Sequence, residues 1–180
     1  MQNNKNRIYA GRNVVFVSTV AISTLLFALG THAEQADTSL DTLFPHSFPL
    51  TQTGSGSLTV AADLGGVQSE FLLDTGASLI TVSPELFAKL NRLGSAVKVR
   101  KVAARTAGGR LRALDVYRVE RFVLGDNCEL GPVEVAVMRS GGRNLLGLAA
   151  LQQAAPFAVS TTPPALGLAR CGKAASIAAL

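Results

Sequence analysis

The chain has no tryptophan, and aromatic residues make up only 6% of its 180 positions. Its apolar content, 48%, is therefore mostly aliphatic, and 17 glycines accompany it. That mix suits a small antiparallel β domain better than a helical bundle. Histidine and cysteine are equally scarce, two of each. His32 falls in the N-terminal region, which leaves His46 as the one base for a serine or cysteine nucleophile, and His46 sits in a proline-punctuated stretch. Such nucleophiles need an adjacent base held in place, so that chemistry is not expected. A zinc site normally takes four ligands, and His46, Cys128 and Cys171 do not make a set, so no metal is expected. Gly65-Gly66 is not followed by Gly-x-Gly-x-x-Gly or Gly-Lys-Ser/Thr, which removes a phosphate-cradling loop, and no cofactor is expected. Acids are absent before Glu34, while Lys5, Arg7 and Arg12 lie ahead of it. Without residues 1–33 the formal charge of +5 falls to +2, from 14 basic and 12 acidic residues. Bulk charge thus gives no reason to expect a nucleic-acid partner.

Residues 1–33 have the organisation of an export signal. A basic start precedes an apolar run of 16 residues, Val14 to Leu29, and Gly30-Thr31-His32-Ala33 offers small residues for cleavage after Ala33. The run is short for a membrane-spanning helix. The expectation is a periplasmic or secreted protein, attached to the inner membrane only if the segment stays uncleaved. In an oxidising compartment Cys128 and Cys171 are candidates for a disulfide, the alternative being two unpaired small apolar side chains.

Residues 34–56 read as an extended leader, with Phe44, Phe48 and Leu50 either packing on a domain edge or on a second subunit, or forming a stray apolar patch. From Ser57 the pattern becomes that of a folded domain. Ser57 to Leu64 and Val67 to Leu73 form two strands around a Gly65-Gly66 hairpin turn. Ser83-Pro84-Glu85 is a helix start with a capping hydroxyl, proline in the first turn and an acid near the positive dipole end. Ser95 to Asp115 gives two basic, alternating arms around Thr106-Ala107-Gly108-Gly109. Val116 to Leu124 is read as a strand that pairs with Val133 to Met138 across Gly125-Asp126-Asn127. Leu148 to Ala154 reads as a short helix ending before Pro156. Phe157 to Val159 and Leu166 to Leu168 make a last pair of strands, and residues 171–180 an alanine-rich tail. No internal repeat is present.

The stretch Phe71-Leu72-Leu73-Asp74-Thr75-Gly76-Ala77-Ser78-Leu79-Ile80-Thr81-Val82 organises the rest. An acid interrupts an apolar run, and burying a carboxylate is costly without hydrogen bonds or a shared proton. Asp-x-Gly is also a common turn, in which Asp74 bonds the amide two residues on. Leu72 to Ser78 nevertheless resembles the active-site loop of the aspartic proteases, where an apolar strand delivers Asp-Thr/Ser-Gly and a small residue. Asn144-Leu145-Leu146-Gly147-Leu148 resembles the apolar-apolar-Gly element of the same family. One copy of each, about 70 residues apart, is the retroviral-type (retropepsin-like) layout.

The resemblance implies a mostly β, single-lobe closed barrel with one or two short helices, spanning residues 57–170. It implies Asp74 as the catalytic acid, Thr75 and Gly76 as supports of the active-site loop, and Ala77 and Ser78 beside substrate. The hairpin tip with Gly108 and Gly109 takes the position of the flap, although an ordinary surface hairpin with solvated charges is the plainer alternative. Its cations would favour acidic peptide segments. Hydrolysis by carboxylates needs two of them sharing a proton, and only one Asp-Thr-Gly occurs. A second Asp74 must then come from a symmetry-related subunit, which implies a C2 homodimer acting on a peptide or protein substrate. The same fold can also bind peptides or scaffold a partner without cleaving, since fold does not fix function.

Overall fold

The computed structural model describes residues 39–105, 109, 111–139 and 141–172. The export segment, the start of the leader, Gly108 at the hairpin tip and the tail from Lys173 lie outside them. Among the described residues no helix is long and apolar enough to cross a membrane.

From Leu40 on, the segment read as a leader is built into the fold. After a single helical turn, α1 (Leu40–Leu43), come β1 (His46–Pro49) and β2 (Thr51–Gln52). Phe48 and Leu50 are buried in the main core at 8% and 7% exposure, so the pairing and packing begin ahead of Ser57. β3 (Leu58–Leu64) and β4 (Val67–Asp74) follow, antiparallel and joined by Gly65-Gly66. Both glycines have positive φ, 58° and 88°, the conformation in which a two-residue turn matches the twist of its strands. A Cβ on Gly65 would also stand 2.9 Å from that of Ser95, so space as well as φ demands glycine there.

β5 (Ile80–Val82) leads into α2 (Pro84–Arg92), whose start matches the sequence reading. The Leu86 N–H donates to Ser83 Oγ at 3.2 Å, and Leu86 and Leu90 face the core. The Glu85 carboxyl is held below its usual value by its own backbone N–H and by the Ser83 hydroxyl. β6 (Val97–Arg105) and β7 (Leu111–Val119) form the basic hairpin, with a bulge between Lys98 and Arg100.

One pairing expected from sequence is different. β7 ends at Val119, and β8 (Phe122–Leu124) pairs with β3 and with β9 (Cys128–Glu129). β10 (Val133–Val137) instead lies between β7, antiparallel, and β5, parallel. The break falls at Glu120-Arg121. Leu64, Phe122 and Leu124 are fully buried, and Asp63 at the end of β3 accepts from Arg121 Nη1 at 2.7 Å and from the Gly66 N–H at 3.0 Å. Those contacts turn the chain toward β3 and free β10 to cross to β5.

β11 (Leu145–Gly147), α3 (Leu148–Gln153), β12 (Phe157–Thr161) and β13 (Pro164–Leu168) complete the chain. Among the described residues the strands make a three-stranded sheet, β1-β13-β12, and a ten-stranded one. The path of the latter is β6-β7-β10-β5-β11-β4-β3-β8-β9, with β2 alongside β3. That path has two ends, β6 and β9, and strand pairing does not close it into a barrel. The main core unites both sheets and the two longer helices through Phe71, Phe122, Ile80, Leu90, Leu146, Leu151, Leu166 and Leu168. Phe71 and Phe122 meet edge to face at 5.3 Å, a favoured aromatic geometry. Cys128 and Cys171 are joined by a disulfide, which ties the segment after β13 to β9.

Candidate active site

Asp74 is the last residue of β4, where the apolar strand emerges at the surface. Its side chain is half-buried, and Thr75, Gly76 and Ser78 are exposed. Asp74 Oδ1 accepts the Gly76 N–H at 2.9 Å, and the Asp74 carbonyl accepts the Ala77 N–H at 3.1 Å. The Asx-type turn and the loop that resembles a protease active-site loop are thus one arrangement. A Cβ on Gly76 would lie 3.2 Å from Asp74 Oδ1, tighter than ordinary contact, so glycine preserves the donor's approach.

The second motif holds this loop from beneath. β11 lies between β4 and β5, parallel to the first, with Gly147 opposite Asp74 and Leu146 opposite Leu73. At the start of α3 the Leu148 and Ala149 N–H groups donate to the carbonyls of Ala77 at 2.7 Å and Ser78 at 3.0 Å. Those amides would otherwise lack partners at a helix start, so the loop and the helix satisfy each other. Gly147 has no room for a side chain. A Cβ there would be 2.2 Å from the Leu79 carbonyl oxygen and 2.9 Å from that of Ala77.

Asn144 is the residue whose role the sequence did not announce. Its Oδ1 accepts the Ser83 N–H at 2.9 Å, and its Nδ2 donates to Ser69 Oγ at 2.9 Å and the Glu70 carbonyl at 3.2 Å. One amide side chain therefore ties β4, the start of α2 and β11 together. The signal was the polar residue heading an otherwise apolar strand.

The other described aspartates lie elsewhere. Asp63 belongs to the β3–β4 turn, Asp115 pairs with Lys98 at 2.8 Å, Asp126 is exposed in the β8–β9 turn, and Asp41 is exposed on α1. None of the described ion pairs involves Asp74. His46 lies in the three-stranded sheet, opposite Leu168, and not in the sheet that carries Asp74. Among the described residues no group of three His, Cys, Asp or Glu side chains is arranged to hold a metal ion. The hairpin is linked to the Asp74 loop through a second small core of Leu114, Val116 and Ala136, on which Leu79, Val102 and Ala104 pack. Gly109, near the tip, has φ 76° and is exposed.

A single carboxylate with one backbone donor and a solvent-facing side can polarise a water. It cannot also protonate a leaving group. Residues 60–150, just over half the chain, match the family described as aspartyl protease. The chain belongs to that family, and its fold is retropepsin-like. Among solved structures it is similar to a retropepsin-like aspartic protease from Rickettsia conorii. The identity is 20% over 68% of this chain and 90% of that one, with a TM-score of 0.51, a likeness of fold. No curated protein matches the chain.

Proposed function

We propose that the protein is an aspartic endopeptidase whose active form is a C2 homodimer with Asp74 of each subunit on the axis. The observation that carries this reading is the placement of Asp74. It ends an apolar strand at the surface, is held by β11 and α3, and the one described hydrogen bond of its carboxylate comes from the Gly76 N–H and not from another acid.

Two carboxylates at close range cannot both ionise, so the pair holds one proton and titrates as a unit. The charged member takes a proton from the attacking water. The neutral member donates its own to the scissile carbonyl oxygen, and collapse of the tetrahedral species returns a proton to the leaving nitrogen. Thr75 braces the loop across the dimer beneath the carboxylates, and Gly76 admits close backbone approach. Ala77, Ser78 and the Gly108-Gly109 tip line the substrate. Export to the periplasm by residues 1–33 completes the proposal.

The test is cleavage of a peptide library between pH 3 and pH 7 by the purified chain and by Asp74→Asn, with sedimentation of both. Cleavage with a bell-shaped pH profile, lost by roughly 10²–10⁴-fold in the variant, is expected. Equal cleavage by both forms, or a strictly monomeric active particle, refutes it.

A further inference from the structure

Among the described residues the longest unpaired edge belongs to β6, which lies far along the sheet from β4. Nine residues, Val97–Arg105, end the ten-stranded path, and among the described residues nothing pairs with the outer side of the strand. Beyond the bulge near its start, Arg100 to Arg105 pair in unbroken register with Val116 to Leu111. The edge from Arg100 on is therefore regular, with its outward backbone groups available to another strand.

Charge is concentrated on the same hairpin. Residues 97–119 carry seven cations and one acid, while the rest of the chain after residue 33 carries seven cations and eleven acids. Lys98 and Lys101 share Asp115, Arg100 meets Glu134, and Arg118 meets Glu120. Arg105 and Arg112, at the far end of the hairpin, have no described acid within ion-pair distance and are exposed. Apolar side chains stand between the cations, Val97 at 64%, Val99 at 45% and Leu111 at 70% exposure.

We propose that the outer edge of β6 docks an extended acidic segment of a partner polypeptide by strand addition. Backbone pairing supplies the affinity and alternate side chains the selectivity, as in other edge-strand recognition. In a strand, Lys101 and Arg105 share a face, so acids at alternate positions of the guest meet both. An unpaired edge favours a peptide over a nucleic acid or a lipid surface, neither of which uses the outward N–H and C=O groups. The site does not involve Asp74, but it lies on an arm of the hairpin whose tip the proteolytic reading places over substrate.

The experiment uses the full chain carrying Asp74→Asn, so that no probe is cleaved. Fluorescence anisotropy is read with an octapeptide alternating Glu and Val, the same peptide with Lys for Glu, and the acidic peptide N-methylated at alternate backbone nitrogens. Vesicles with anionic phosphatidylglycerol form a further arm. The acidic peptide is expected to bind, with affinity falling roughly tenfold from about 50 to about 500 mM salt. The lysine peptide does not bind, and N-methylation weakens binding about tenfold or more. Arg105→Glu with Arg112→Glu weakens it about 5–30-fold, with the melting temperature of the chain kept. The proposal is overturned if the N-methylated peptide binds as well as its parent. It is also overturned if the double variant loses only vesicle binding, or if no acidic peptide binds. In that last case the cations only guard the edge against self-pairing. A chain that fails to cleave can still pass this test, and one that cleaves can still fail it.

Discussion

Replacing Gly147 by alanine tests the link between the two motifs directly. The added Cβ would stand 2.2 Å from the Leu79 carbonyl oxygen, 2.5 Å from its carbon and 2.9 Å from the Ala77 oxygen. All three are backbone atoms, so no side chain can rotate away. Relief requires β11 to separate from the loop, which gives up the Leu148–Ala77 and Ala149–Ser78 hydrogen bonds. Each contributes about 0.5–1.5 kcal/mol net. Adding the strain of overpacking, about 1–3 kcal/mol, gives an expected loss of roughly 2–6 kcal/mol. Urea unfolding reads this as a lower midpoint at unchanged slope. Gly54→Ala is the control, since a Cβ there meets nothing within 4 Å, and it should stay within about 0.5 kcal/mol of wild type. The cleavage rate of Gly147→Ala should fall as well, because the displaced segment carries Asp74. Equal midpoints for the two variants would refute the reasoning.

Asn144→Leu removes the tie between β4, α2 and β11 and leaves the Ser83 N–H without its acceptor; a loss of about 2–4 kcal/mol is expected in the same urea assay. Reducing the Cys128–Cys171 bridge, or Cys171→Ser, frees a loop of 43 residues and should cost about 4 kcal/mol from chain entropy, seen as a lower melting temperature. The hydrogen bond from Lys98, followed by the attraction of Lys98, Lys101 and Arg139, holds the Asp115 carboxyl below its ordinary 3.8 against the effect of burial. Its contribution is therefore present above that ordinary value and lost as pH falls through the depressed one. The melting-temperature gap between wild type and Asp115→Asn should be constant near neutral pH and close in strong acid; a gap that widens there would contradict the assignment.

Local signals determined the local structure. The Gly65-Gly66 turn, the Ser83-Pro84 cap and the apolar run ending in Asp74 each depend on residues within a few positions, and each forms where the sequence put it. The Asp-Thr-Gly and Asn-Leu-Leu-Gly motifs named the family for the same reason, as compact patterns of residue type. The long-range partners were decided in three dimensions. Val133 to Val137 is apolar enough to pair with any neighbour, and only the burial of Phe122 and Leu124 against β3 sends it to β5 and β7. Phe48 and Leu50 lie in a polar, proline-marked stretch that local pattern assigns to a leader, yet the pairing of β1 with β13 makes them core. Asn144 and Gly147 matter because of atoms more than sixty residues away in the chain. Hydrogen bonds and steric exclusion at that separation exist only once the chain has folded.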